Sequence, residues 1–185
     1  SDDQRPAVDE RDPPARPAPF RPSTQGDLAP PGVATKLRAN LDALAVLNTC
    51  REDGGRWADA GEQTVLARWS GWGAIPQIFD DDDDRFATER AELRRLLRSE
   101  DGWAQARRTT LNAHYTSASV VSTMWQATEA LGVGGDVRVL EPGCGSGNFI
   151  GLAPTSARLT AVELDQTTAE IAKHLYGARA TIHAS

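Results

Sequence analysis

Residues Val137–Phe149 read Val-Arg-Val-Leu-Glu-Pro-Gly-Cys-Gly-Ser-Gly-Asn-Phe: a short apolar β-type run, a carboxylate, then glycines at 143, 145 and 147. Glycine lets a backbone turn sharply and lets a ligand approach it with no Cβ in the way. The spacing predicts a strand over Val137–Leu140, a tight loop and a short helix. Outward from it, Leu159–Leu164 reads as a second strand, Thr167–Tyr176 as a helix capped by Asp165, and Ala180–His183 as a third strand. Upstream, Ser117 reads as the N-cap of a helix over Ala118–Leu131, ended by Gly132 and Gly134-Gly135. Strands and helices alternate and the strands are short and apolar, so the expected fold class is α/β with a parallel sheet covered by helices.

In an open α/β sheet, ligands sit beyond the carboxyl ends of the strands, where the Gly143–Gly147 loop falls. A dinucleotide fingerprint spaces its glycines G-x-G-x-x-G, and a P-loop ends in Gly-Lys-Ser/Thr; this loop does neither. Glu141 beside the loop would repel a pyrophosphate but suits a ligand carrying an ammonium and a sulfonium. S-adenosylmethionine has both, and no phosphate. Glu163 follows Gly143 by 20 residues, the spacing at which an acidic residue after the second strand reaches ribose hydroxyls. Cys144 reads as a small loop residue with no base nearby to activate its thiol.

The stretch Glu141–Phe149, EPGCGSGNF, resembles motif I of class I S-adenosylmethionine-dependent methyltransferases, in the form common among adenine-N6 DNA methyltransferases. Val162–Asp165 is similar to their motif II. His114-Tyr115-Thr116-Ser117, with Val120, Val121 and Met124 after it, resembles the motif that precedes motif I; Ser117 stands where that family often has proline. Over residues 34–185, including SGWGAIPQIFD (70–80), ERAELRRLL (89–97) and LNAHYTS (111–117), the chain looks like the N-terminal region of methyltransferase–helicase proteins of phages, plasmids and defence islands. The resemblance implies the N-terminal half of a Rossmann-like class I methyltransferase sheet. It implies that Tyr115 and Thr116 hold the methionine end of the cofactor, that Glu141, Gly143, Gly145 and Gly147 line its ammonium and ribose side, that Phe149 packs near it and that Glu163 binds the ribose. Plain core packing is the other reading of Tyr115 and Phe149. The implied reaction is methyl transfer to adenine N6 in DNA, with a helicase or another defence-system subunit as a further partner.

An adenine-N6 enzyme also needs Asp/Asn-Pro-Pro-Tyr/Phe, whose polar groups accept from the exocyclic amine while the ring stacks on the flipped base. None follows Glu163 before Ser185. Asp12-Pro13-Pro14 is followed by Ala15 in a proline-rich setting with no strand before it, and reads as a decoy. The chain opens on Ser1, so an excised, cofactor-binding piece is expected, and no catalytic residue is assigned. A non-catalytic S-adenosylmethionine-binding or assembly module is the alternative, and a methyltransferase acting on RNA, protein or a small molecule a third.

Eight of the eleven prolines lie within residues 1–31, so residues 1–33 are expected to form a disordered proline-rich tail. Residues 34–113 read as a helical region and 114–185 as the partial cofactor domain. Leu37, Leu41, Leu44 and Leu47 mark one face of a helix ending near Gly54-Gly55; a second helix covers Glu62–Trp69, and Trp72 between glycines reads as an aromatic plug. The run Asp80–Asp84 lacks the alternating spacing of a calcium loop and reads as solvated, helix-capping charge. Arg85, Arg90, Arg94, Arg95, Arg98, Arg107 and Arg108 form either a phosphate-contacting stripe or, the favoured reading, a surface face balanced by Glu89, Glu92 and Glu100. His114, His174 and His183 do not suggest a metal site. Among 185 residues the net charge is −6, which argues against wrapping nucleic acid by bulk electrostatics. Two cysteines, Cys50 and Cys144, make no disulfide framework. No apolar run nears the roughly 18 residues of a membrane span and no signal peptide is evident, so a soluble, cytoplasmic protein without membrane contact is expected.

Overall fold

The computed structural model describes residues 16–111 and 114–185. Three strands, β1 (Arg138–Pro142), β2 (Arg158–Glu163) and β3 (Ala180–Ala184), form a parallel sheet in the order β1-β2-β3. The register sets Leu140 opposite Thr160 and Thr160 opposite Thr181. Period two then puts Leu159, Ala161, Ala180 and Ile182 on one face, where all four are buried. Helices α6 (Asn148–Gly151) and α7 (Gln166–Tyr176) connect the strands, and α7 buries Ile171, Ala172, Leu175 and Tyr176 in the same core as that face. Asp165 caps α7 as expected, accepting from the Thr168 N–H and hydroxyl at 2.8 and 2.7 Å.

The expected helical cover of the sheet lies on one face. Leu140 is 63% exposed and Thr181 and His183 are exposed, so the second face has no helix on it among the described residues. The fold is mixed α/β: a small three-stranded parallel sheet with seven α-helices among the described residues.

Five of those helices precede the sheet: α1 (Val33–Glu52), α2 (Ala60–Leu66), α3 (Ala87–Leu97), α4 (Glu100–Arg108) and α5 (Ala118–Ala130). Asp59 and Glu62 form a reciprocal capping box on α2. Trp72 is the plug its flanking glycines suggested. It meets Trp69 and Phe79 edge-to-face at 5.7 and 5.9 Å, and Phe79 continues to Trp103 at 4.8 Å. Helices and sheet share one hydrophobic core that runs across the boundary expected at residue 113. Polar ties cross it too. Trp69 Nε1 donates to Thr168 Oγ1 at 2.9 Å, the Ala58 N–H to His174 Nδ1 at 3.0 Å, and Gln63 Nε2 to the His174 carbonyl at 2.9 Å.

Two further expectations change. The disordered tail over 1–33 does not hold for residues 16–33; residues 1–15, with Asp12-Pro13-Pro14, lie outside the described residues. The Phe20 N–H donates to the Leu175 carbonyl at 2.8 Å, Leu28 is 1% exposed, and Arg16 stacks on Trp57. Proline lowers the entropy lost on docking, and here it docks on the chain itself. Ser117 makes no side-chain cap; Gln25 Oε1 from this strap accepts the Ala118 N–H at 2.8 Å instead.

The arginines form no stripe. Arg90 is buried and donates to the carbonyls of Ile78, Asp81 and Asp83, clamping the acidic run. Arg94 reaches Asp81 and lies over Trp103, while Arg98, left-handed at the end of α3, turns to Glu52. Among the described residues no group of three His, Cys, Asp or Glu side chains is placed to hold a metal, and no helix is long and apolar enough to cross a membrane.

Candidate functional site

The Gly143–Gly147 loop is built by its neighbours. The Gly143 and Cys144 N–H groups both donate to the Val162 carbonyl, at 2.8 and 2.9 Å, folding the loop back over the end of β2. Gly143, Gly145 and Gly147 have φ of +83°, +55° and +95°, in the left-handed region. Their surroundings differ. A Cβ on Gly143 meets nothing within 4 Å, one on Gly145 lies 3.2 Å from the Tyr115 ring, and one on Gly147 lies 2.6 Å from Tyr176. Gly143 and Gly145 therefore face a cavity and its wall, while Gly147 makes room for the core.

That cavity, about 760 Å³, opens at the carboxyl ends of β1 and β2. Tyr115, Gly143, Gly145, Glu163 and Asp165 line it together with His114, and Gln105 and Arg108 reach it from the helical region. Glu163 braces the loop before any ligand arrives: its carboxylate accepts from the Gly145 N–H at 2.8 Å and the Asp165 N–H at 2.9 Å. A carboxylate has about four lone-pair sites, so two acceptor positions are left over. Burial, with the Glu163 charge as a second cause, pushes the Glu141 carboxyl up to about 7. Burial likewise raises the Tyr115 hydroxyl, and pushes the Cys144 thiol up to about 12, which keeps it an inert thiol at neutral pH.

Of the eight residues expected around a cofactor, Tyr115, Gly143, Gly145 and Glu163 line this cavity. Glu141 precedes the loop on β1, outside the wall. Thr116 lines a neighbouring cavity of about 560 Å³ with Asn148 and Lys36, and its carbonyl accepts from Asn148 Nδ2 at 3.0 Å. Gly147 is buried against Tyr176, and the Phe149 carbonyl accepts from Trp125 Nε1 at 3.1 Å. Sequence reasoning missed Arg108 and Gln105. They sit four and one residues past Ala104 on a helix assigned to the surface, and nothing local in the chain signals that α4 returns to the strand ends.

No family model matches the chain. Comparisons with curated proteins and with solved structures also return no match.

Proposed function

We propose that the cavity at the strand ends binds S-adenosylmethionine, and that the chain is the cofactor-binding part of an adenine-specific DNA methyltransferase built on the N-terminal half of a Rossmann-like sheet. One juxtaposition supports this reading above all: Glu163, with acceptor capacity to spare, stands in the same wall as Gly143, whose Cα side is open to the cavity. The charge pattern agrees. Glu163 and Asp165 give the lining acidic groups, and Arg108 and His114 add nitrogen donors to it. A zwitterion with a sulfonium and a carboxylate suits such a cavity better than a polyphosphate does. Bound there, the cofactor supplies an electrophilic methyl group. Glu163 holds ribose hydroxyls, each such bond being worth roughly 1.5–3 kcal/mol. The Tyr115 ring fixes the loop from the side. Target-base recognition is left to further sequence or to a partner that brings DNA.

A second reading, a non-catalytic cofactor-binding or assembly module, is favoured by the uncovered sheet face, where Leu140 is 63% exposed. Parallel sheets are ordinarily covered on both faces. Calorimetric titration of S-adenosylmethionine tests the premise of both. Saturable binding is expected, weakened by about 1.5–3 kcal/mol in Glu163→Gln and lost in Gly145→Val, whose side chain meets the Tyr115 ring. Unchanged affinity in a folded Glu163→Gln protein overturns the assignment. Methyl transfer to DNA, and not to RNA or protein, by the completed assembly separates the enzyme from the module.

A further inference from the structure

A second cavity, about 700 Å³, lies at the opposite, amino ends of β2 and β3. Five cationic side chains line it, Arg16, Arg21, Arg158, Lys173 and Arg179, and no carboxylate does among the described residues. In a chain of net charge −6 this is a local reversal of sign. Three of the five are held in place by their own contacts. Arg179 donates to the carbonyls of Ala153 and Pro154, Arg16 to the Gly177 carbonyl at 2.6 Å, and Arg158 to Asp136 at 2.7 Å. Arg21 is exposed and Lys173 half-buried beside them. Burial depresses the Arg179 guanidinium, and the nearby Arg21 charge depresses it further, so like charges crowd the site. Asp136 offsets the Arg158 charge, and crowding the other cations is unfavourable unless an anion offsets them too. Arg179 spends most of its donors on backbone carbonyls and Arg158 its fork on Asp136, so Arg16, Arg21 and Lys173 are the groups placed to meet phosphoryl oxygens.

We propose that this cavity is a binding site for a phosphate-bearing ligand, formed jointly by the strap over residues 16–21 and the amino ends of β2 and β3. Its volume is that of a site for one nucleotide-sized group. The site stands apart from the cavity at the strand ends and does not depend on the cofactor reading.

The test is thermal unfolding and calorimetric titration of the full chain with pyrophosphate, with ATP and with a short single-stranded oligonucleotide, at an ionic strength of about 0.1 M, where exposed charges are already screened. Saturable binding of at least one probe and a rise in melting temperature are expected. Arg21→Ala/Lys173→Ala is expected to raise Kd at least tenfold while S-adenosylmethionine titrations stay as in the parent chain. Equal binding of pyrophosphate and ATP identifies the phosphoryl group alone as the determinant, tighter ATP adds the nucleoside, and oligonucleotide binding with a steep salt slope identifies a nucleic-acid backbone. No saturable binding of any probe, binding unchanged in the folded double variant, or preference for a glutamate-rich peptide over all three overturns the proposal.

Discussion

Glu141 and Glu163 lie near the carboxyl ends of neighbouring strands, and the Glu163 charge, after burial, helps keep Glu141 protonated up to about 7. In the unfolded chain the same group ionises near 4.5. A carboxyl raised on folding stabilises fully below its unfolded value, and that contribution is lost as pH rises through about 7. Glu141→Gln is therefore expected to leave the melting temperature unchanged near pH 4 and to raise it at pH 8, which a pH series of thermal melts would show. If a cation enters the cavity, the opposite holds for binding. Because Glu141 lies outside the cavity wall and acts on a cation there only through its charge, affinity of the parent chain for S-adenosylmethionine strengthens with pH through about 7 by less than about tenfold in all, while the variant stays flat. A melting temperature that falls at pH 8 in the variant would mean that Glu141 has an unrecognised hydrogen-bonding role. The sequence shows that a carboxylate closes the first strand. The charge it shares with Glu163 depends on strand register, which the sequence does not state.

Elements explain the glycines better than motif spacing does. Gly147 and Gly151 both face the ring of Tyr176, so α6 lies against α7 at a distance that excludes a methyl group. Gly147→Ala is expected to cost about 2–4 kcal/mol in chemical denaturation, combining a positive φ with a clash. Tyr176→Val is expected to recover part of that loss, so that the two effects are non-additive. If the loss persists in full, backbone strain alone accounts for it. The β-α-β-α-β order was legible from residue 137 onward because apolar runs, glycines and the Asp165 cap coincide there. The helices were legible where leucines recur, as in α1. What was not legible is where each arginine points: Arg90 and Arg98 share a sequence neighbourhood, yet one is buried against carbonyls and the other leaves the helix at a left-handed cap.

At the scale of the molecule, helical region, strap and sheet share one core, although composition divides the chain into three parts. Four of the five tryptophans lie in the helical region, while the sheet is reported by far-UV circular dichroism. Coincident denaturation curves from tryptophan fluorescence and circular dichroism are expected of such a body; separated midpoints would restore the expected boundary near residue 113. Proline-rich composition concealed the strap, because the few apolar residues it carries, Phe20 and Leu28, are placed by contacts far away in the chain. Arg16 meets Gly177 across 161 positions. Closing so long a loop costs only slightly more entropy than closing a moderate one, but non-local contacts slow folding. During synthesis, residues 16–28 leave the ribosome long before α7 exists to receive them. The earliest of these segments to be made is therefore among the last to dock, and until then the Leu175 carbonyl and the space over α6 are exposed to solvent and to chaperones.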